Sequence, residues 1–153
     1  MAKNKDILLS HGISHVVNCV GALYKEFFKD DGLQYRTYYL KGWSHAMCRV
    51  RSWQASPCMQ PSPPCRHPRP AIPPNADIPS EDILAVLYDA LEFIDVSLKA
   101  GGRVLVHCSQ GVSRSATLVI AYLMWRSGSS YDEVYAQVKE ARGITNPNIG
   151  PSQ

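Results

Sequence analysis

The stretch VHCSQGVSRSATLVIAYLM, residues 106–124, changes its character twice. It starts at the end of an apolar run, passes through small polar residues, and continues as an apolar sequence that favours a helix. A strand, a tight turn and a helix in this order place backbone N–H groups and a helix N-terminus at the carboxyl edge of a sheet. The stretch therefore predicts a binding site for an anion, and phosphate fits it.

Two side chains of this turn indicate which chemistry follows. Cys108 lies where the same positive field lowers the pKa of a thiol, so we expect a thiolate near neutral pH. Arg114 adds a planar fork of donors that can hold two phosphate oxygens. A thiolate beside a bound phosphate is placed for attack on phosphorus, with a cysteinyl-phosphate intermediate. The alternatives are a small buried cysteine in the core and a solvated surface arginine.

Strand formers cluster in three places along the chain. Residues 14–20 and 34–40 are rich in β-branched or aromatic residues and predict two strands, with residues 22–29 predicted to be helical between them. Residues 103–107 form a nearly continuous apolar run, which is typical of a strand that is covered on both faces of a sheet.

Helical periodicity follows in the second half of the chain. Apolar residues recur at helical spacing over residues 83–98, and residues 113–127 predict a second helix that ends at Gly128. A third helix begins at Ser130, where Glu133 completes a capping box. Strands that alternate with helices predict an α/β fold around a mainly parallel sheet.

Composition limits the class of protein. A chain of 153 residues with 45% hydrophobic content suits a single domain with one core. No apolar run approaches the roughly 18 residues that a membrane-spanning helix needs, and a net charge of +3 is too small to indicate nucleic acid as a partner. The odd count of five cysteines favours a reducing compartment, and we expect a cytoplasmic or nuclear protein, or one found in both.

Residues 42–76 differ in composition from the rest of the chain. They contain four arginines, no acidic residue and eight of the eleven prolines. We expect either a disordered insertion into the domain or translated intron sequence, with a contact to a peptide or an acidic partner as an alternative. The spacing of its cysteines and histidines matches no common zinc finger, so we predict no metal. The residues concerned are His45, Cys48, Cys58, Cys65 and His67.

Residues 107–115, HCSQGVSRS, resemble the signature loop of the cysteine-based protein phosphatases. The continuation SRSA, followed by AYLM at residues 121–124, resembles the dual-specificity branch of that family. Similar matches occur in GISHVVNC at residues 12–19 and PSEDI at residues 79–83. Residues 122–143 resemble in particular the MAP kinase phosphatases of plants and algae, and the resemblance covers nearly everything outside the insertion.

The resemblance implies a fold and an activity. The fold would be that of a cysteine-based phosphatase, with a central, mainly parallel sheet between helices but without the family's first strand and last helix. The activity would be hydrolysis of phosphotyrosine and phosphoserine or phosphothreonine in proteins, among them MAP kinases, without a cofactor. The alternative is a catalytically impaired form that binds phosphoproteins.

The same resemblance implies roles for individual residues. His107 would orient the loop and stabilise the thiolate, and the Ser115 hydroxyl would assist the departure of Cys108 from the phosphoenzyme. Asp77, 31 residues before Cys108, would be the general acid, with an ordinary loop carboxylate as the alternative. Phosphate would bind to the loop residues Ser109, Gln110, Gly111, Val112, Ser113 and Arg114.

Cys19, in the first predicted strand, has two interpretations. A buried core cysteine is the ordinary one. The resemblance implies a second, because some relatives carry a cysteine on the matching strand that forms a disulfide with the nucleophile after oxidation. Such a bond would protect Cys108 from further oxidation.

Overall fold

The computed structural model describes residues 2–39, 83–111 and 113–142, and residues 42–76 therefore lie outside the described parts of the chain. The described residues form four helices and three strands. In chain order these are α1 Lys5–Ser10, β1 His15–Asn18, β2 Gln34–Thr37, α2 Ile83–Lys99, β3 Val104–His107, α3 Arg114–Ser127 and α4 Tyr131–Arg142.

The three strands form one parallel sheet in the order β2-β1-β3. The register pairs Asn18 of β1 with Thr37 of β2 on one side and with His107 of β3 on the other. All three strands therefore end at the same edge of the sheet. The prediction of an α/β fold around a parallel sheet is confirmed.

The central strand β1 separates two apolar clusters, because successive side chains of a strand face opposite sides. Val17 belongs to a cluster with Leu87 of α2 and Leu118 of α3, and all three side chains are fully buried. Val16 belongs to a smaller cluster on the opposite side, with Leu8 of α1. The helices thus cover both faces of the sheet. None of the helices in the described ranges is long and apolar enough to cross a membrane.

The helix boundaries in the second half follow the predicted signals. Helix α3 ends at Gly128, whose φ of 70° is one that glycine adopts without strain. The Ser130 backbone N–H donates to Glu133 Oε2 at 2.9 Å, and the Glu133 N–H donates to Ser130 Oγ at 3.4 Å. The capping box at the start of α4 is confirmed.

Three features differ from the predictions. Helix α1 was not predicted, because a helix of six residues gives little periodicity in the sequence. At its N-terminus the Ile7 N–H donates to Asn4 Oδ1 at 3.2 Å. The helix predicted at residues 22–29 is wrong: the segment forms turns. There the buried Asn18 side chain donates to the Tyr24 carbonyl at 2.7 Å and accepts from the Val20 N–H at 3.0 Å. These bonds hold the backbone in a turn instead of a helix.

The third difference concerns strand β3. A strand covered on both faces was expected, but all four of its residues are only half-buried. Among the described strands β3 pairs with β1 alone, so it forms an edge of this sheet. The apolar sequence of β3 therefore predicts more burial than the strand has in the structure.

A buried carboxylate joins the strand before the predicted insertion to the helix after it. Arg36 of β2 donates from Nε to Asp89 Oδ2 of α2 at 2.7 Å and from Nη2 to Asp89 Oδ1. The Tyr38 hydroxyl also donates to Asp89 Oδ2, at 2.5 Å. Burial and the hydrogen bond to Asp89 raise the pKa of Tyr38, so this hydroxyl keeps its proton. The two flanks of the segment are thus held together by one charged, largely desolvated cluster.

We predict that Asp89→Asn lowers the free energy of unfolding by about 3 kcal/mol, because it leaves the Arg36 guanidinium largely buried beside a neutral amide. Urea unfolding followed by circular dichroism measures the change. Asp132→Asn, an exposed carboxylate in the first turn of α4, is the matched control and should cost less than about 1 kcal/mol. Equal losses in the two variants would contradict a special role for Asp89.

Candidate active site

The loop between β3 and α3 wraps around one sulfur atom. Cys108 follows the last residue of β3, and α3 begins at Arg114. Gly111, halfway along the loop, has a φ of 70° and turns its N–H toward Cys108 Sγ at 3.1 Å. This left-handed conformation is one that residues with a side chain rarely adopt. The predicted strand, turn and helix are therefore present, and they converge on the cysteine.

The environment of Cys108 favours its ionised form. The side chain is only 8% exposed, and Ser115 Oγ lies 3.4 Å from its sulfur. Burial raises the pKa of the thiol, but hydrogen bonds from the Ser115 hydroxyl and from the backbone N–H groups of Ser115, Gly111 and Gln110 outweigh burial. The net effect is a lowered pKa. The sulfur is therefore prepared to act as a nucleophile.

Arg114 is anchored to the same loop. Its Nη2 donates to Ser109 Oγ at 2.9 Å, which holds the guanidinium beside the residue that follows Cys108. The N-terminus of α3 and this guanidinium place positive charge on one side of the sulfur. A dianion bound there meets backbone donors and a charged fork together. The structure thus brings together Cys108, Arg114, Ser115 and the described loop residues.

His107 contributes through its position instead of its charge. Burial lowers the pKa of its imidazole, and the adjacent backbone of Cys108 only partly opposes this, so the ring is neutral at pH 7. The ring packs edge to face against Tyr24, with centroids 5.5 Å apart. Within the described residues its Nδ1 makes no hydrogen bond. The role expected for His107 in stabilising the thiolate stays a prediction.

Tyr24 and Asn18 were not expected to support the site. The Asn18 amide holds the Tyr24 carbonyl, and the Tyr24 ring contacts His107. The one available signal was an asparagine at the end of an apolar strand, where a buried amide must find partners. The sequence alone does not show which partners those are.

Cys19 lies directly after β1 and is fully buried. Its backbone N–H donates to the His107 carbonyl at 3.0 Å, so it lies beside the start of the loop. Burial and the charge of Cys108 raise the pKa of the Cys19 thiol, which therefore stays protonated. Neighbouring strands are about 4.8 Å apart, a spacing compatible with a disulfide. A redox pairing of Cys19 with Cys108 stays a prediction.

Two predicted site residues, Asp77 and Val112, lie outside the described residues, as do the cysteines and histidines considered for zinc. The role of Asp77 as general acid is therefore not tested by this geometry. No group of three or more potential metal ligands occurs within residues 2–39, 83–111 and 113–142.

A buried cysteine whose sulfur faces loop amides, with an arginine at the start of the next helix, is the arrangement of the cysteine-dependent phosphatase class. The model of the family "Dual specificity phosphatase, catalytic domain" matches residues 65–151, more than half of the chain. The chain belongs to this family.

Individual relatives agree with this assignment. The chain is 40% identical to the protein-tyrosine-phosphatase MKP1 of Arabidopsis thaliana over 150 residues, which are 98% of this chain and 14% of that protein. It is 49% identical to the human serine/threonine/tyrosine-interacting protein over 75 residues, which are 49% of this chain and 34% of that protein. The chain thus spans only a small part of both relatives.

A solved structure supports the fold. The human tyrosine phosphatase-like serine/threonine/tyrosine-interacting protein superposes with a TM-score of 0.62 and 29% identity, over 97% of this chain and 77% of that one. The predicted membership in the dual-specificity branch and the predicted fold class are both confirmed.

We predict that Ser115→Ala raises the pKa of Cys108, since it removes one of the hydrogen bonds that favour the thiolate. The rate of Cys108 alkylation by iodoacetamide should then reach half its maximum about one pH unit higher. Mass spectrometry of the Cys108 peptide measures the rate. Ser127→Ala, at the exposed end of the same helix, is the control and should leave the profile unchanged. An unshifted profile for Ser115→Ala would sink this account of the thiolate.

Proposed function

We propose that this chain is a protein phosphatase that hydrolyses phosphotyrosine and phosphoserine or phosphothreonine through a cysteinyl-phosphate intermediate. One observation carries the proposal: the sulfur of Cys108 accepts hydrogen bonds from the loop that Arg114 closes, and its pKa is lowered although it is buried. Membership in the dual specificity phosphatase family supports it.

The reaction proceeds in two displacements. In the first, the Cys108 thiolate attacks phosphorus, an S–P bond forms, and the P–O bond to the substrate breaks. Asp77 donates a proton to the departing oxygen. In the second, water gives its proton to the Asp77 carboxylate and attacks phosphorus, and the S–P bond breaks with its electron pair returning to sulfur. Ser115, 3.4 Å from that sulfur, stabilises the departing thiolate.

The substrates are phosphoproteins, with a MAP kinase as the specific proposal. The resemblance of residues 122–143 to plant and algal MAP kinase phosphatases supports this, as does the identity to the Arabidopsis protein. Loop residues 109–113 contain no lysine or arginine, which argues against highly anionic lipid or RNA phosphates. A reducing compartment keeps thiols such as Cys108 free, so we propose that the chain works in the cytoplasm, the nucleus or both.

A second candidate function is the capture of phosphoproteins without turnover. It is favoured by the similarity to the human serine/threonine/tyrosine-interacting protein, a tyrosine phosphatase-like protein. A loop with Arg114 and several amide donors binds phosphate whether or not a general acid is in place. The two functions differ in whether product forms.

We predict that the chain hydrolyses a generic aryl phosphate and that Cys108→Ser reduces kcat by about 10⁴-fold or more, because a serine hydroxyl at this position is not activated as a nucleophile. Steady-state kinetics on both proteins measures the change. Circular dichroism of each protein is the control for folding. A folded wild-type chain that binds phosphate without turnover would replace the phosphatase by the capture function.

We predict that Asp77→Asn lowers kcat by about 10²-fold for a phenyl phosphate with a poor leaving group and much less for one with a good leaving group. A general acid matters only where the departing oxygen needs a proton. Asp82→Asn is the matched control, because Asp82 is expected to serve only as a charge at the start of α2. A uniform loss across leaving groups would show that Asp77 is not the acid.

A further inference from the structure

The loop between β3 and α3 is contacted from its outer side by a residue of α4. Arg142, in the final turn of α4, donates from Nη1 to the Gly111 carbonyl at 2.6 Å. The two residues are 31 positions apart in the sequence. A basic residue at a helix C-terminus ordinarily interacts with the helix's own last carbonyls. Here the guanidinium instead binds the backbone of the loop that carries the nucleophile.

Gly111 lies between Cys108 and Arg142 and contacts both. On one side its N–H donates to Cys108 Sγ at 3.1 Å, and on the other its carbonyl accepts from Arg142. A Cβ atom placed on Gly111 would lie 2.9 Å from Arg142 Nη2. The glycine therefore permits both the positive φ of this turn and the close approach of the guanidinium.

We propose that Arg142 is a positioning residue for the phosphate-binding loop. By fixing the Gly111 carbonyl it keeps the Gly111 N–H directed at the sulfur, and it adds positive charge on the outer side of the loop. The inference rests on the proposed function only in taking this loop as the phosphate site. It links α4, which packs against α3, to the protonation state of Cys108.

Charge and hydrogen-bond geometry can be separated by substitution. Arg142→Met keeps an unbranched side chain, shorter than that of arginine, and removes both the charge and the donors. Arg142→Lys keeps the charge but replaces the planar fork by a compact ammonium group. Lys139→Met removes a positive charge one turn earlier in the same helix, and it is the matched control.

The experiment measures two properties of the full chain that do not require turnover. One is the pH dependence of Cys108 alkylation by iodoacetamide, followed on the Cys108 peptide by mass spectrometry. The other is the concentration of inorganic phosphate that protects Cys108 from alkylation. Failure of catalysis would leave both measurements intact, so a wrong proposed function and a wrong role for Arg142 give different results.

We expect Arg142→Met to move the alkylation midpoint to higher pH and to weaken phosphate protection by up to about fivefold, as for the loss of one exposed hydrogen bond from a charged group. Arg142→Lys should fall between it and the wild type, and Lys139→Met should match the wild type. Wild-type behaviour of Arg142→Met would overturn the proposal, as would equal effects of Lys139→Met. Should Arg142→Met fail to fold, Arg142→Lys decides, because wild-type values for it would also overturn the proposal.

Discussion

The candidate site depends on lowering the pKa of one thiol, that of Cys108, although it is nearly buried. Burial alone raises the pKa of Cys108, and the fold overcomes it with donors that all come from one short loop and the first turn of α3. Because a strand and a helix fix the two ends of that loop, its N–H groups are oriented before any substrate arrives. In the proposed reaction, such preorganised donors would need little rearrangement when charge moves from the sulfur to the phosphate.

The parallel sheet explains why the supporting residues gather where they do. The register of β1 with β3 places Asn18 beside His107, and Cys19 follows at the same edge. Asn18 then fixes the turn that carries Tyr24 onto the His107 ring. A change in the register of these two strands would separate the loop from its support, so the apolar packing of β1 against two helix layers also maintains the site.

Much of this arrangement could be predicted from the sequence, because its signals are local. The loop at residues 107–115, the capping box at Ser130 and the parallel sheet all follow from neighbouring residues and their periodicity. The contacts that could not be predicted join distant residues: Arg36 with Asp89, and Gly111 with Arg142. The failed helix at residues 22–29 has the same cause, since a side chain at the end of β1 determines its backbone. Asp77 remains a prediction because its support is resemblance alone.

The two arginines around the loop have different tasks, and their placement explains why. Arg114 is anchored to Ser109 beside Cys108, so its guanidinium lies next to the loop that is proposed to bind phosphate. Arg142 binds a carbonyl on the outer side, where it acts on the backbone that carries the N–H donors. A loop that binds a dianion through its amides concentrates its N–H groups on one side, which leaves carbonyl oxygens on the other. A cation on that outer side lowers the cost of this arrangement, and a helix that ends there can supply it.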